Sequence, residues 1–506
     1  MLFGDIPMED SIRLAGDGLR WCLPWLILAP LGGAMLSPII AYRSLKAARL
    51  FGGIVLGLNF MLSIILANLV WWQGAIHYKF GGWAPPWGIE IVLDPLSAMM
   101  APLVAFFAML AFFGATRRCE ELPDSHVGAF QALYLLLAAG LLGIVLTGDL
   151  FNLYVFLEVS SLSAYALVAA GGDRGKVAAF RYLIIGSVAA TFWVLGLGYL
   201  YALTGTLNMA DMATRLPAVL GSRAAVAGLS FMTVALLIKM ALFPLHGWQP
   251  DAYSYAPSGA MPFVSAVMAK VSAYALFRLL FDVFLKAGPA AQILELLSWA
   301  AALSILAGSI FALGQKDVRR MLAYSSVAQI GYVVLGFGIG NSFAVTGALL
   351  HIVNHAIMKG CAFAALAAFT ARTGKSDVKS LAGLAKEMPW TAAAFTMAAL
   401  GIIGLPPMCG FFSKYYLIRG AVQAQAWPFV AAFGISSLLS TVYFFRVIES
   451  LYLKKADTKA ASKPMLSPSV LAPALVLAGL ILALGIFNQS VVGNFVPVIL
   501  SAGGPS

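Results

Sequence analysis

The sequence predicts an all-α polytopic membrane protein of about fourteen transmembrane helices, two of them broken, built around an inverted five-helix repeat. Three observations predict it. Of 506 residues, 61% are hydrophobic and only 10% charged, where a soluble domain carries about a quarter charged residues. Apolar runs of about 20 residues recur from end to end, each able to cross a hydrocarbon core of ~30 Å. Loops on alternate sides of those runs differ sharply in Lys and Arg content.

The spans fall at roughly 21–41, 50–72, 95–115, 128–147, 150–171, 182–204, 225–245, 259–280, 291–313, 322–339, 343–370, 390–418, 427–450 and 468–490. One set of alternate loops holds Arg43, Lys46 and Arg49, then Arg117 and Arg118, and on through Lys316, Arg319 and Arg320 to Lys463. It carries nineteen basic residues, whereas the other set, from Arg13 to Arg419, carries seven. Positive charge is retained on the cytoplasmic side, so the rich set is placed there and both termini outside. A miscounted span would scramble this alternation. The first residues include Asp5, Glu9, Asp10 and Asp17 and lack the basic start of a signal peptide, so the first run is expected to be kept as a helix.

Several function classes drop out. Cys22, Cys119, Cys361 and Cys409 are scattered with no CxxC pair, which argues against a disulfide framework, a thiolate zinc site or an iron–sulfur cluster. The net charge of +11 follows from sidedness and needs no nucleic acid. No redox-cofactor motif, phosphate loop or nucleophile–base constellation is present. No cofactor and no metal are expected, and no catalytic chemistry in this chain itself.

Six basic residues lie inside spans: Lys239, Lys270, Arg278, Lys359, Lys414 and Arg446. Arg278 and Arg446 stand near span ends, within reach of the interface. Glu158 is nine residues past Asp149, roughly 13 Å into the bilayer. A lone carboxylate there costs at least a few kcal/mol unless protonated, paired or wetted. Its expected partner is Lys239 or Lys270. Buried pairs are weak sources of stability, so charges on several helices point to a transport path more than to structural bridges.

The stretch "HIVNHAIMKG" puts His351, His355 and Lys359 four residues apart. On a helix that is a ladder about 12 Å long, built from groups that accept and donate protons. Bis-histidine haem ligation would need two helices. A zinc site of the HExxH kind would need Glu where Ile352 stands.

"KMALFPLHGWQPDAYSYAP" and "GIIGLPPMCGFFSKYY" are apolar runs interrupted by proline beside a lysine: Lys239 before Pro244, and Lys414 after Pro406 and Pro407. Proline removes a helical hydrogen bond, and freed backbone groups survive at membrane depth only where protein or water satisfies them. The breaks fall in spans seven and twelve, fourth in each of two five-span blocks. Five is odd, so the blocks enter from opposite sides. That layout is the sign of an inverted repeat around a transport path. The expected division is 1–127 for helices one to three, 128–281 and 291–453 for the two repeats, and 466–506 for the C-terminal helix.

Together, "FLEVSSLSAYALVAAGG", "IKMALFPLHGWQPDAYSYAP", "MAKVSAYALFR", "KDVRRMLAYSSVAQIGY", "HIVNHAIMKG" and "LPPMCGFFSK" resemble the antiporter-like subunits shared by respiratory complex I, energy-converting membrane hydrogenases and Mrp-type cation/proton antiporters. The resemblance implies a chain of buried charges along the midplane. Glu158 and Lys239 would be the coupled Glu–Lys pair, Lys270, His351, His355 and Lys359 the connecting groups, and Lys414 the terminal lysine. Gln249 stands where the family motif usually has leucine. "SAYALVAAGG" and "GYLYALTGTLNMADMA" look most similar to the Mrp D subunit. The implied function is the proton-translocating subunit of a multisubunit Mrp-type antiporter; the alternative is the proton-pumping subunit of a complex I-like or hydrogenase-like redox enzyme. In the expected cycle, Glu158 beside Lys239 stabilises the ammonium, and its withdrawal lets the proton pass to Lys270, the histidines and Lys414. The implied partners are other membrane subunits, including related antiporter-like ones, with protons and sodium as candidate ions. The implied location is the inner (plasma) membrane.

Overall fold

The computed structural model describes residues 18–117, 124–284, 291–455 and 468–494. Asp5, Glu9, Asp10, Arg13, Asp17, Arg118, Cys119, Lys286, Lys459 and Lys463 lie outside them. Apart from the short helices Met209–Arg215 and Leu384–Glu387, the α-helices are α1 (Trp25–Arg43), α2 (Leu45–Gln73), α3 (Pro95–Arg117), α4 (Asp124–Leu146), α5 (Leu150–Ala169), α6 (Asp173–Thr204), α7 (Arg223–Lys239), α8 (Trp248–Tyr255) and α9 (Met261–Phe284). They continue with α10 (Ala291–Leu313), α11 (Val318–Ile339), α12 (Ser342–Thr373), α13 (Pro389–Ile403), α14 (Cys409–Gln423), α15 (Trp427–Tyr452), α16 (Pro468–Ile486) and α17 (Asn488–Asn494). Eleven helices of the described residues are long and apolar enough to cross a membrane. The three other expected spans fall on shorter helices: α7, the pair α13 and α14, and α16.

Helix ends follow the local sequence. Asp317 and Asn341 cap α11 and α12 by accepting from the Arg320 and Ala344 amides, each at 2.9 Å. Gly340 and Gly374 close the same helices in left-handed conformation, which glycine adopts without a Cβ clash.

The chain forms two compact units. The first holds Met1–Met109, Asp124–Ser163 and Phe192–Met232. Its helices are joined by polar side chains that reach backbone carbonyls of neighbours: Asn59 Nδ2 to Leu26 at 2.9 Å, Tyr134 Oη to Ala108 at 3.0 Å and Trp193 Nε1 to Leu150 at 3.2 Å. In lipid such bonds, with close packing, replace the hydrophobic drive between helices.

This unit also carries an element absent from the span pattern, a hairpin of β1 (Ile76–Lys79) and β2 (Glu90–Leu93). Tyr78 pairs with Ile91 in antiparallel register. Glu90 is buried on it, receiving Asn208 Nδ2 at 2.8 Å and facing His77 Nδ1 at 3.3 Å. The Gly148 amide donates to the Glu90 carbonyl at 3.1 Å, and the Met209 amide to that of Gly148 at 2.9 Å. Three connecting segments are thereby knitted at one end of the unit.

The second unit holds Leu110–Pro123, Ala164–Thr191 and Thr233–Ser506. Its axis is α12, whose most apolar window is 94% buried. At one end Asp251 on α8 receives Arg181 of α6 at 2.9 Å and Arg320 of α11 at 3.0 Å. Arg446 does not merely extend outward: its Nη1 donates to the Leu313 carbonyl at 3.1 Å, at the last turn of α10. Arg278 pairs with Asp282 at 2.8 Å on its own helix.

Both expected breaks are present. Residues 240–247 separate α7 from α8, with Ala241 at φ +60°, and residues 404–408 separate α13 from α14, with Gly404 at φ +91°. A Cβ on Gly404 would sit 2.8 Å from Lys414 Cδ. Gly404→Ala combines that clash with a left-handed penalty of roughly 1–2 kcal/mol. It is expected to lower the melting temperature of the purified complex; an unchanged melting temperature would refute the account of this turn.

The hairpin supplies a pH test. The hydrogen bond from His77 holds the Glu90 carboxyl below its usual value, against burial. The same contact holds the His77 imidazole above its usual value. The depressed carboxyl stabilises above about pH 4.5, and the raised imidazole stabilises below about pH 6.5. Amide exchange in 76–79, corrected for intrinsic rates, is expected to be slowest between those values and to quicken on either side. His77→Ala should flatten the profile; a profile unaffected by the substitution would contradict the assignment.

Candidate functional site

The second break leaves carbonyls at the end of α13 without helical partners. Lys414, on the first turns of α14, supplies the missing donors: its Nζ lies 2.8 Å from the Ile402 carbonyl, 3.0 Å from that of Ile403 and 3.3 Å from Ser437 Oγ. An ammonium has three donors, and these contacts use them all. The negative end of the α13 dipole faces the charge. The Tyr332 ring lies under the ammonium at 4.8 Å, a cation–π distance.

Tyr332 leads to the first histidine, its ring 5.6 Å from that of His351 and 23° from parallel. His351 is fully buried, with Nε2 2.8 Å from Gln329 Oε1 and Nδ1 2.9 Å from Ser413 Oγ. Ser413 Oγ also lies 3.1 Å from the Gly410 carbonyl. A hydroxyl has one hydrogen to give, and this fixes a two-state arrangement. Neutral His351 donates from Nε2 to Gln329 and accepts the Ser413 hydrogen at Nδ1. Protonated His351 donates from both nitrogens, and the Ser413 hydrogen turns to Gly410.

One turn along α12 the His355 ring stacks on that of His351 at 5.7 Å. His355 is fully buried and neither ring nitrogen has a protein hydrogen-bond partner among the described residues. A bridging water is the ordinary partner for such a group. The charges of Lys270, Lys359 and Lys414 all act on His355. Lys270, on α9, donates to the Ser265 carbonyl at 2.6 Å, and Lys359 to that of Leu322 on α11 at 2.7 Å. Each ammonium is thus held by oxygen dipoles and not by a carboxylate.

The second unit therefore gathers Lys270, His351, His355, Lys359 and Lys414 around α12. It also holds Lys239, buried as the last residue of α7. There the break is covered by Trp248, whose Nε1 donates to the Ile238 carbonyl at 2.9 Å. Pro244 lies in this break, and Pro406 and Pro407 in the other. Glu158 belongs to the first unit, half-buried on α5.

Sequence patterns did not single out Gln329, Tyr332, Ser413 or Ser437. Uncharged polar side chains inside spans are common, so only their meeting at His351 and Lys414 sets these apart. No group of three or more His, Cys, Asp or Glu that could hold a metal occurs among the described residues.

Comparison with known proteins fits this arrangement. Residues 147–440 match the family described as NADH:quinone oxidoreductase/Mrp antiporter, transmembrane. The N subunit of the NADH-quinone oxidoreductase of Desulforudis audaxviator is 48% identical, covering 94% of this chain and 97% of its own. The D subunit of the Na(+)/H(+) antiporter of Alkalihalophilus pseudofirmus is 32% identical, covering 82% and 83%. The solved Mrp complex of a Dietzia species matches over 96% of this chain and 97% of its own with TM-score 0.86 at 25% identity. The membrane-bound sulfane sulfur reductase, an archaeal respiratory membrane complex, matches over 95% and 97% with TM-score 0.86 at 29% identity. The identities correct the expected leaning to the Mrp D subunit, since 48% to the oxidoreductase N subunit exceeds 32% to the antiporter D subunit. The stretches behind that leaning are short, 163–172 and 198–213, and weigh little against identity counted over most of the chain. On these grounds the chain is a polytopic integral membrane protein of the NADH:quinone oxidoreductase/Mrp antiporter transmembrane family.

Proposed function

We propose that this chain is a proton-translocating membrane subunit of a complex I-like redox enzyme. The observation that carries the translocating part is the buried series Lys270, His355, His351 and Lys414, with Ser413 able to turn its hydrogen as His351 changes charge. The redox setting is supported by 48% identity to an NADH-quinone oxidoreductase subunit and by the likeness to a respiratory reductase complex.

In this reading Glu158 and Lys239 are the two input groups that the family resemblance implies. Movement of charge at one end, driven by a redox partner, changes the balance at Lys239 and then at Lys270. A proton travels along the stacked histidines to Lys414, which exchanges it with the outer side. Oxygen dipoles hold Lys270, Lys359 and Lys414, so a nearby change of charge is felt strongly in the low-dielectric interior. The two broken segments support an inverted repeat over 128–281 and 291–453, with 1–127 and 466–506 outside it. The loop charges support both termini on the outer face of an inner (plasma) membrane.

A second reading is favoured by the 32% identity to a Na(+)/H(+) antiporter subunit and the Mrp complex fold likeness. There the same series would serve cation/proton exchange. Inverted native vesicles separate the two: donor oxidation that acidifies the lumen without sodium supports the redox reading. Proton movement that needs only an imposed sodium gradient would overturn it.

Two substitution tests follow. Glu158→Gln and Lys239→Ala should each lower proton translocation more than tenfold with the complex still assembled; normal pumping in either would end the input-pair assignment. Ser413→Ala removes the hydroxyl at His351 Nδ1, and steady-state translocation should fall severalfold. Ser413→Thr should restore most of it, and equal rates in alanine and wild type would remove Ser413 from the path.

A further inference from the structure

The helix that carries Lys270 is not α-helical throughout. Val264–Met268 is a π-turn, Ala269–Phe277 is α-helical, and Arg278–Phe284 is a second π-stretch. A π-turn bonds i to i+5 and stores one residue more than an α-turn; such turns are rare and cluster at functional places. Here two of them bracket a nine-residue segment. That arrangement has a mechanical property that one bulge lacks. If the first turn gives up its surplus residue and the second takes it, the segment between them turns by about 100° and slides about 1.5 Å. The two ends of α9 need not move.

Two contacts tie the segment to its brackets. Lys270 Nζ donates to the carbonyl of Ser265, a residue of the first π-turn, at 2.6 Å. Arg278, which opens the second, donates from Nε to the Tyr274 hydroxyl at 2.9 Å and from Nη1 to Asp282 at 2.8 Å. The first tie depends on charge, because an ammonium bonds a carbonyl about twice as strongly as a neutral donor does. The buried ionisable side chains of α12, which packs on the first π-turn, are His351, His355 and Lys359. The neighbouring α11 contributes Gln329 and Tyr332 near those histidines. The segment is buried throughout, so a turn re-aims Lys270 within the protein and not into lipid.

We propose that Ala269–Phe277 is a rotary segment latched by the protonated Lys270. With the ammonium on Ser265 the first π-turn is held. When the proton leaves, the latch weakens, the turn anneals to α-helix, and the segment carries the neutral amine away from the Ser265 carbonyl. Proton loss and loss of alignment are thereby one event, which opposes return of the proton by the same route. The inference rests on the reading that Lys270 carries the transported proton.

The test is cryo-electron microscopy of the intact complex in four forms: wild type at pH 6 and at pH 10, Lys270→Met, and Lys270→Arg. Wild type at pH 6 and Lys270→Arg, which keeps its charge, should show i to i+5 bonds over 264–268. Lys270→Met and wild type at pH 10 should show them replaced by α-helical bonds, with residue 270 turned by about 100°. One helical register in all four forms would overturn the rotary segment even if both variants stop pumping. Undiminished pumping by Lys270→Met would instead remove the reading on which it rests. The wild-type pair needs no substitution, so the register comparison survives a variant that fails to assemble.

Discussion

The arrangement depends on one constraint: a helix interrupted at membrane depth must have its exposed carbonyls satisfied from within, by protein groups or by enclosed water, because lipid offers no donor. At the second break this is done by a charge. The Lys414 ammonium bonds the Ile402 and Ile403 carbonyls, so the group that repairs the backbone is also one that can carry a proton. The break needs a donor for its carbonyls, and those carbonyls in turn give the buried ammonium its acceptors. At the first break the Ile238 carbonyl accepts from the Ala241 amide at 3.1 Å and from the Trp248 indole at 2.9 Å.

From Lys414 the rest follows by contact. Tyr332 faces the ammonium and the His351 ring; Gln329 and Ser413 fix the histidine; His355 stacks on it. The second unit is thus organised around polar side chains that are mostly satisfied by backbone and by one another. The exceptions, His355 above all, stand where a mobile hydrogen-bond partner is useful for proton transfer.

Much of this was legible in the sequence because lipid restricts what a chain can carry. Charges inside apolar runs stand out, and Lys239, Lys270, Lys359 and Lys414 were visible for that reason. The two proline breaks were visible beside Pro244 and beside Pro406 and Pro407, since proline at membrane depth demands compensation. Other features were not legible. The hairpin holding Glu90 lies outside the bilayer, where neither span length nor loop charge constrains it. The roles of Gln329 and Ser413 arise only when α11, α12 and α14 meet. The π-turns around Lys270 leave no mark in periodicity, because the helix is buried on nearly every side and a single surplus residue shifts no apolar stripe.

The central claim is that His351 changes charge during turnover, with Ser413 turning to match. Infrared difference spectroscopy on the intact complex with isotope-labelled histidine reads this directly, and His351→Gln assigns the band. The account requires an imidazolium signal from His351 that rises and decays with donor oxidation and disappears in Lys414→Ala. A His351 ring that stays neutral through steady translocation would contradict it.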